Sequence, residues 1–239
     1  MMLRLPVAAA LLLSLLGGCA HTPPDEPSDP LEAINRPIFR FNQTADRYVL
    51  RPVARGYVAV VPEPVRGGIG NFFSNLFYPT VILNDLLQGK FAQGGEDLGR
   101  FVLNTTVGLG GFMDVASRVG LPANDEDFGQ TLGTWGVGPG WYLMLPLLGP
   151  ASNRDLIGRV GDYYSSPTTY TDEEALEIGL NVLNVIDTRA GLLDADRLLE
   201  QQFDPYLFLR TVYLQRRLAL VHDGNPPRQR YDFEDDFDE

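Results

Sequence analysis

The sequence contains few of the side chains from which most catalytic and metal sites are built. Its 239 residues include one cysteine, Cys19, and two histidines, His21 and His222. A single thiol cannot form an internal disulfide. Because the two histidines stand near opposite ends of the chain, no imidazole is available between them to act as a base or a metal ligand. A Ser-His-Asp triad and a histidine-based zinc site are therefore excluded.

Other catalytic and cofactor motifs are also missing. No G-x-S-x-G sequence occurs, and the glycine-rich residues 108–111 lack the Lys-Ser/Thr of a phosphate-binding loop. The acidic residues 124–127 lack the alternating ligands of an EF-hand, so we expect a solvated turn there and not a calcium site. Asp194 and Asp196 are interpreted as helix caps and surface charge. The sequence thus predicts no enzyme and no metal site.

Basic residues are in the minority, with 19 lysines and arginines against 31 aspartates and glutamates and a formal net charge of −12. A nucleic-acid-binding surface needs a basic footprint, so nucleic acid is excluded as a partner. Part of the negative charge lies in residues 223–239, which we predict to be a disordered acidic tail.

Beyond the N-terminus, no apolar run is long and regular enough to cross a membrane. Residues 67–84 carry no charge, but Asn75 and Pro79 interrupt them, whereas a membrane span needs about 20 consecutive mostly apolar residues. Residues 128–153 are also uncharged, yet their glycines and prolines prevent one continuous helix. Since lipid tolerates no exposed irregular backbone, we expect this second segment to be buried in protein or to line a cavity.

The N-terminus predicts export and a lipid anchor. Within residues 1–18, a single cation, Arg4, is followed by an apolar run and then by small residues directly before Cys19, as in a signal peptide. The end of this segment resembles a bacterial lipobox, in which the signal is cut before a cysteine that is then lipidated. The alternative is an unlipidated signal with a chance cysteine. The residue after the cysteine is Ala20 and not aspartate, which by resemblance to the sorting rules of enteric bacteria favours the outer membrane over the inner one. The proline-rich residues 19–28 are predicted to be a tether.

Residues 29–222 predict a single, mainly α-helical domain. Asp29–Glu32 combine an N-cap aspartate, a proline at the first helical position and a glutamate at the third. The amphipathic helix that follows is expected to be kinked at Pro37. A second short helix is expected over residues 52–61.

Residues 68–89 favour two helical pieces that meet at Pro79, because neither half alternates as a strand would. A further helix is expected to begin within residues 96–103, and the glycines of residues 107–112 are expected to break the chain after it.

The apolar face of residues 69–87 has two interpretations that periodicity alone leaves open: it packs in the core, or it contacts lipid. A chain anchored through Cys19 is held against a bilayer, where an amphipathic helix can lie in the plane of the interface. This context favours a segment that enters one leaflet without crossing it. The candidate membrane-facing side chains are Phe72, Phe73, Leu76, Phe77, Ile82, Leu83, Leu86 and Leu87.

A second group of candidates lies in the glycine-rich middle of the chain. Gly136, Gly138 and Gly140 predict a hairpin turn with short strand-like arms between Trp135 and Trp141. The two tryptophans are either packing anchors or rings of the kind that seek membrane interfaces.

The last third of the chain predicts three helix starts. Residues 152–155 and 171–174 resemble capping boxes, and Asp204 followed by Pro205 is an N-cap with proline at the first helical position. The last helix is expected to end near Gly224. After the second capping box, one apolar face is marked by Leu176, Leu180, Leu183, Ile186 and Ala190.

The chain resembles the VacJ/MlaA family of phospholipid-binding lipoproteins over residues 29 to about 217. The matching segments are specific and spread over the whole predicted domain. They are residues 29–32 with 35–36, 50–54, 71–76, 84–89, 100–105, 108–116, 128–138, 154–155, 188–194 and 204–206.

This resemblance implies a ring-like helical domain embedded in the inner leaflet of the outer membrane, on its periplasmic face. It implies that phospholipids leave the outer leaflet through a central channel and pass to a soluble periplasmic carrier, which maintains lipid asymmetry. It further implies a trimeric porin as a partner, no cofactor, and a hairpin at residues 135–141 bordering the channel. Two rivals remain: a porin-associated structural tether without its own channel, and a lipid hydrolase.

Overall fold

The computed structural model describes residues 29–227, and in this part of the chain the predicted mainly α fold is confirmed. The predicted signal peptide 1–18, Cys19, the tether 19–28 and residues 228–239 of the tail lie outside the described residues, so these boundaries stay predictions. The elements are α1 (Glu32–Ala45), a π-helical segment (Asp46–Leu50), α2 (Arg51–Val60), α3 (Glu63–Leu87), α4 (Phe91–Thr106), α5 (Phe128–Thr134), β1 (Tyr142–Leu145), β2 (Gly149–Ser152), α6 (Asn153–Ser165), α7 (Glu174–Gly191), α8 (Asp196–Glu200) and α9 (Pro205–Val221), with 3₁₀ turns at Ser117–Val119 and Pro167–Tyr170.

Helices α1 and α2 are joined end to end through the π-helical segment Asp46–Leu50. The helix begins at Glu32 with Leu31 at its cap position and no side-chain cap bond, so the prediction of Asp29 as the N-cap is wrong. The Asp29 carboxylate instead accepts a hydrogen bond from the amide of Leu31 at 3.1 Å, ahead of the helix. The helix continues through Pro37, whose missing N–H removes one helical hydrogen bond. The change to π-helical hydrogen bonding comes later, at Asp46–Leu50, and the kink expected at Pro37 stays a prediction.

Helix α3 runs without interruption through Pro79, so the prediction of two pieces meeting there is wrong. A proline inside a helix costs about 3 kcal/mol in isolation. Tertiary packing offsets that cost, because the residues on either side, Tyr78 and Thr80, are buried, at 3% and 8% exposure. Helix α4 begins at Phe91, ahead of the expected start, and ends at Thr106. Leu109 and the two glycines after it then take left-handed backbone angles.

The β-hairpin lies after Trp141, not between Trp135 and Trp141 as expected. Strands β1 and β2 pair antiparallel from Tyr142 opposite Ser152 to Leu145 opposite Gly149. The residues before Trp141 form an irregular loop instead, in which Gly136 and Gly140 have positive φ angles of 91° and 69°. Glycine adopts these angles without strain.

A buried asparagine joins α1 to this hairpin. Asn35, 2% exposed, donates to the carbonyl of Tyr142 at 3.0 Å and accepts from the amide of Met144 at 2.9 Å. The Asn35 side chain therefore pairs with a backbone carbonyl and a backbone amide of β1, as the backbone of a neighbouring strand would. The hydrophobic core beside it is small and consists of Phe39, Tyr142, Met144 and Tyr206.

Two of the three predicted helix caps of the last third are confirmed. The side chain of Ser152 accepts from the amide of Asp155, and that of Asp204 accepts from two amides of the first turn of α9. The third is wrong: α7 begins at Glu174, and its cap residue, Glu173, makes no side-chain cap bond. A 3₁₀ turn precedes this start and directs the chain into α7 without Thr171 reaching the cap position.

Burial in the described residues is unusual, because many polar side chains are inside and many apolar ones outside. On α7, Leu176, which is expected to mark the apolar face, is 49% exposed. Three further apolar side chains of the helix are also about half exposed: Ile178 at 55%, Val182 at 53% and Val185 at 50%. Large exposed apolar surfaces mark contacts with a partner or a membrane. Within residues 29–227, no helix is both long enough and apolar enough to pass through a bilayer.

Candidate functional site

The structure separates the candidate membrane-facing residues of α3 into two groups. Phe73 is 3% exposed and packs against the rings of Phe72 and Phe77, with centroid distances of 5.3 and 6.3 Å. Because it is enclosed by protein, Phe73 leaves the candidate set. Leu83 and Leu86 are 41% and 45% exposed. The remaining candidates are half-buried, and contact of these side chains with lipid stays a prediction: Phe72, Leu76, Phe77, Ile82 and Leu87.

The glycine loop, residues 135–141, is exposed along its length. Trp135 and Trp141 are 55% and 44% exposed, so neither is a core anchor. The indole N–H of Trp135 donates to the carbonyl of Leu87 at 3.0 Å, which fixes the start of the loop against the end of α3. A cavity of about 400 Å³ lies between this loop and α9, and Gly136 and Gly138 are part of its wall. The loop therefore borders a cavity that is partly open to solvent, while its role beside a lipid channel stays a prediction.

A larger cavity, of about 600 Å³, lies between α3, α6, α7 and the residues before α5. We call it the large cavity. Phe77 and Val81 of α3 form an apolar part of its wall. Charged side chains form much of the remainder: Asp125, Glu126, Asp127, Arg159, Asp162 and Glu177.

Three of these carboxylates are already paired with cations. Glu126 accepts from Lys90, the only lysine of the chain, at 2.8 Å, and it is 6% exposed. Asp127 accepts from Arg217 at 2.9 Å. The expectation of a solvated turn at residues 124–127 is therefore wrong for Glu126, which is drawn inward by its ion pair. It holds for Asp125, whose pair with Arg216 is exposed.

The ionisation of the cavity wall differs from place to place. Burial raises the pKa of Asp162 to about 6, because removing a carboxylate from water disfavours its charged form. Burial acts in the same direction on Asp127, but the hydrogen bonds and charge of Arg217 outweigh it and hold the pKa of Asp127 below its ordinary value.

A small cavity of about 130 Å³ lies between the large cavity and the one beside the glycine loop. It shares lining residues with both, so the three spaces are neighbours that meet at these side chains. The residues of its wall are Asp127, Asp155, Arg159, Asp162, Tyr213 and Arg217.

Arg217 of α9 joins the two aspartates at this junction. Its guanidinium donates to Asp127 at 2.9 Å and to Asp155 at 2.8 Å. The hydroxyl of Tyr213 donates to the other oxygen of Asp155. Burial favours the neutral form of Asp155, but the Tyr213 hydrogen bond and the neighbouring arginines keep its pKa below the ordinary value. The junction is therefore a charged, hydrogen-bonded network inside the protein.

Two glycines allow α5 and α6 to approach closely enough to build this junction. A Cβ atom on Gly158 would lie 2.4 Å from the amide nitrogen of Gly129, which is closer than side chains pack. Asp127 caps the start of α5, and Asp155 lies in the first turn of α6. The close crossing of the two helices thus sets the positions of both aspartates.

Sequence reasoning did not identify the residues of the junction. Asp127 and Arg217 are 90 residues apart, and no local pattern joins them. The available signal was Arg217 itself, a cation within the largely apolar pattern of α9, since buried arginines need partners. Among residues 29–227, no group of side chains is arranged to hold a metal ion.

Comparisons with known proteins agree in pointing to one family. The family model described as MlaA lipoprotein matches residues 27–220. The protein "Intermembrane phospholipid transport system lipoprotein MlaA" of Escherichia coli (strain K12) is 41% identical over 230 residues, which cover 94% of this chain and 91% of that protein. The Haemophilus influenzae protein of the same name is 34% identical over 243 residues, covering 97% and 96%. A solved structure described as "Structural basis for maintenance of bacterial outer membrane lipid asymmetry" matches with a TM-score of 0.73 and 41% identity, covering 81% of this chain and 99% of that chain.

Proposed function

Because the chain belongs to the MlaA lipoprotein family, we propose that it transports phospholipid and maintains the lipid asymmetry of a bacterial outer membrane. The family predicted from the sequence motifs is confirmed by the family match and by two relatives named for phospholipid transport. The observation that supports the mechanism is the row of three neighbouring cavities, with charged side chains where they meet, in a domain that exposes many apolar side chains.

The proposed path places the polar headgroup of a phospholipid in polar surroundings and its acyl chains in apolar surroundings. The charged cavities accept the headgroup, which is costly to place in hydrocarbon. The apolar outer faces of helices such as α3 and α7 lie among acyl chains, where their exposure has no hydrophobic cost. A ring-like domain held in the inner leaflet would admit lipid from the opposite leaflet through its interior.

The membrane placement rests on the predicted anchor and on the amphipathic exterior. Lipidation at Cys19 would hold the chain on the periplasmic face of the outer membrane, since several acyl chains on one residue anchor stably. We further propose a trimeric porin as neighbour, a soluble periplasmic carrier as acceptor of the lipid, and no chemical change to the lipid. These partners come from the resemblance to the family.

A block in the large cavity tests whether lipid passes through it. Asn181 of α7 lines the cavity and is exposed, so Asn181→Trp fills space without disturbing a core. In cells lacking the wild-type gene, we expect this variant to leave outer-leaflet phospholipid as high as in the deletion strain. The measurement is enzymatic labelling of surface phospholipid in intact cells.

The matched control is Val185→Trp, one helical turn further along α7, outside the cavity wall and 50% exposed. It should restore asymmetry fully. If Asn181→Trp also restores it while porin association is unchanged, the rival role of a structural tether is favoured. Release of fatty acid or lysophospholipid by the purified protein would instead favour a hydrolase.

Replacement of the predicted anchor gives a separate test. Cys19→Ala removes the thiol that would be acylated, so we expect an unlipidated protein that is lost from outer-membrane fractions and fails to restore lipid asymmetry. Mass spectrometry of the purified N-terminus measures the acylation directly. Normal asymmetry in cells that make this variant would show that the anchor is dispensable.

A further inference from the structure

The large cavity contains charges of both signs that have no ionic partner in the protein. Arg159, Asp162 and Glu177 all line it. Within residues 29–227, none of the three forms an ion pair, whereas the other carboxylates of the cavity each have an arginine or a lysine. The guanidinium of Arg159 donates only to backbone carbonyls, at 2.9 Å to Pro150 and 3.5 Å to Leu148.

Arg159 and Asp162 are three residues apart on α6 and therefore project from the same face of the helix. Oppositely charged neighbours at this spacing commonly pair, yet these two do not form an ion pair with each other in the described structure. Glu177 approaches the same space from α7. The cavity thus presents one cation and two anions at separate points, beside the apolar wall of Phe77 and Val81.

We propose that the large cavity is a headgroup-selective site for phospholipids that carry a primary ammonium group, with Arg159 contacting the phosphate and Asp162 and Glu177 contacting the ammonium. This inference rests on the proposed function, because it names the class of lipid that the same site prefers. A zwitterionic headgroup supplies one negative and one positive group, which match the two kinds of unpaired charge. A headgroup with a phosphate and only hydroxyls leaves both carboxylates without a counter-charge.

Electrostatics in a partly enclosed cavity make this difference measurable. Two carboxylates repel an anionic headgroup and attract an ammonium, and screening by water is weaker there than at a flat surface. Burial raises the pKa of Asp162 to about 6, so at neutral pH this group is mainly charged. Tyr163, Thr168 and Asn184 add neutral polar groups to the wall, and these do not distinguish the two headgroups by charge.

The test is a competition between two lipids on the full-length protein. The wild type, purified in detergent, is incubated with mixed micelles holding equal amounts of phosphatidylethanolamine and phosphatidylglycerol, then re-isolated, and its bound lipid is quantified by mass spectrometry. We expect phosphatidylethanolamine in excess by about threefold, the size expected for partly exposed ion pairs. The Asp162→Asn/Glu177→Gln double variant should bring the ratio close to one, and Arg159→Gln should lower the binding of both lipids.

The matched control is Glu174→Gln, which removes a carboxylate from the same first turn of α7 but outside the cavity wall; it should keep the wild-type ratio. If the double variant does not fold, the ratio of the two bound lipids is measured on Glu177→Gln alone, which should also lower it. A wild-type ratio of one, or a ratio that the variants do not change, overturns the headgroup preference while leaving lipid transport in place. Absence of both lipids from the wild type, together with normal asymmetry in the deletion strain, overturns the proposed function itself.

Discussion

Replacing Arg217 by methionine is expected to lower the free energy of unfolding by about 3–5 kcal/mol, the cost of removing one partner from a buried ion pair. Arg217 is only 13% exposed in its side chain and pairs with Asp127 and Asp155. Methionine keeps much of the length but supplies no hydrogen-bond donor. Two largely enclosed carboxylates would then lack their counter-charge, and water would have to enter or the helices would have to separate.

The adjacent residue provides the control for this prediction. Arg216 also pairs with an aspartate, Asp125, at 3.2 Å, but the two side chains are 68% and 67% exposed. Because exposed pairs contribute about 0–1 kcal/mol, Arg216→Met should change stability little. Thermal or denaturant unfolding in detergent, followed by circular dichroism, measures both variants. Equal effects of the two substitutions would contradict an essential role of the junction.

The same network predicts how the stability of the wild type depends on pH. The pKa values of Asp127 and Asp155 are lowered in the folded state. The stability that these two carboxylates add to the folded state is therefore fully present above the ordinary carboxylate pKa. It is lost as the pH falls through the lowered pKa values. Arg217→Met removes this stabilisation at every pH. The difference in the free energy of unfolding between the wild type and the variant should therefore shrink in acid.

Local sequence signals predicted those parts of the fold that depend on local chemistry. The caps at Ser152 and Asp204 were found because a side chain next to its own helix satisfies the amides. Pro79 was misjudged because the packing that keeps α3 continuous comes from distant segments. The hairpin was misplaced because the glycines before Trp141 form a loop, and the strands after it are fixed by Asn35, more than 100 residues away.

The candidate site was only partly predictable for a related reason. The apolar residues of α3 and α7 were visible as periodic patterns, but periodicity does not tell a core face from a lipid-facing one. The burial of each side chain separates the two cases, since Phe73 is enclosed by protein and Leu83 is exposed. The charged interior was not visible at all, because Asp127, Asp155 and Arg217 come together only when α5, α6 and α9 pack.

Replacing Gly158 by alanine is expected to destabilise the protein by about 3 kcal/mol, at the upper end of typical overpacking costs. The added Cβ would lie 2.4 and 2.6 Å from the backbone nitrogen and Cα of Gly129. Backbone atoms at a helix crossing cannot rotate aside as a flexible side chain can. The crossing of α5 and α6 must therefore widen, which also moves Asp127 away from Asp155 and weakens the contacts of Arg217.

Gly179 on α7 is the matched control, because it is also a helical glycine, but a Cβ added to it would meet no atom within 4 Å. Alanine is the better helix former by about 1 kcal/mol, so Gly179→Ala should raise the melting temperature while Gly158→Ala lowers it. Both variants gain the same intrinsic helix preference, so their opposite signs isolate the cost of the close crossing. A Gly158→Ala protein as stable as the wild type would mean that α5 and α6 separate freely, and the junction could not then depend on their close approach.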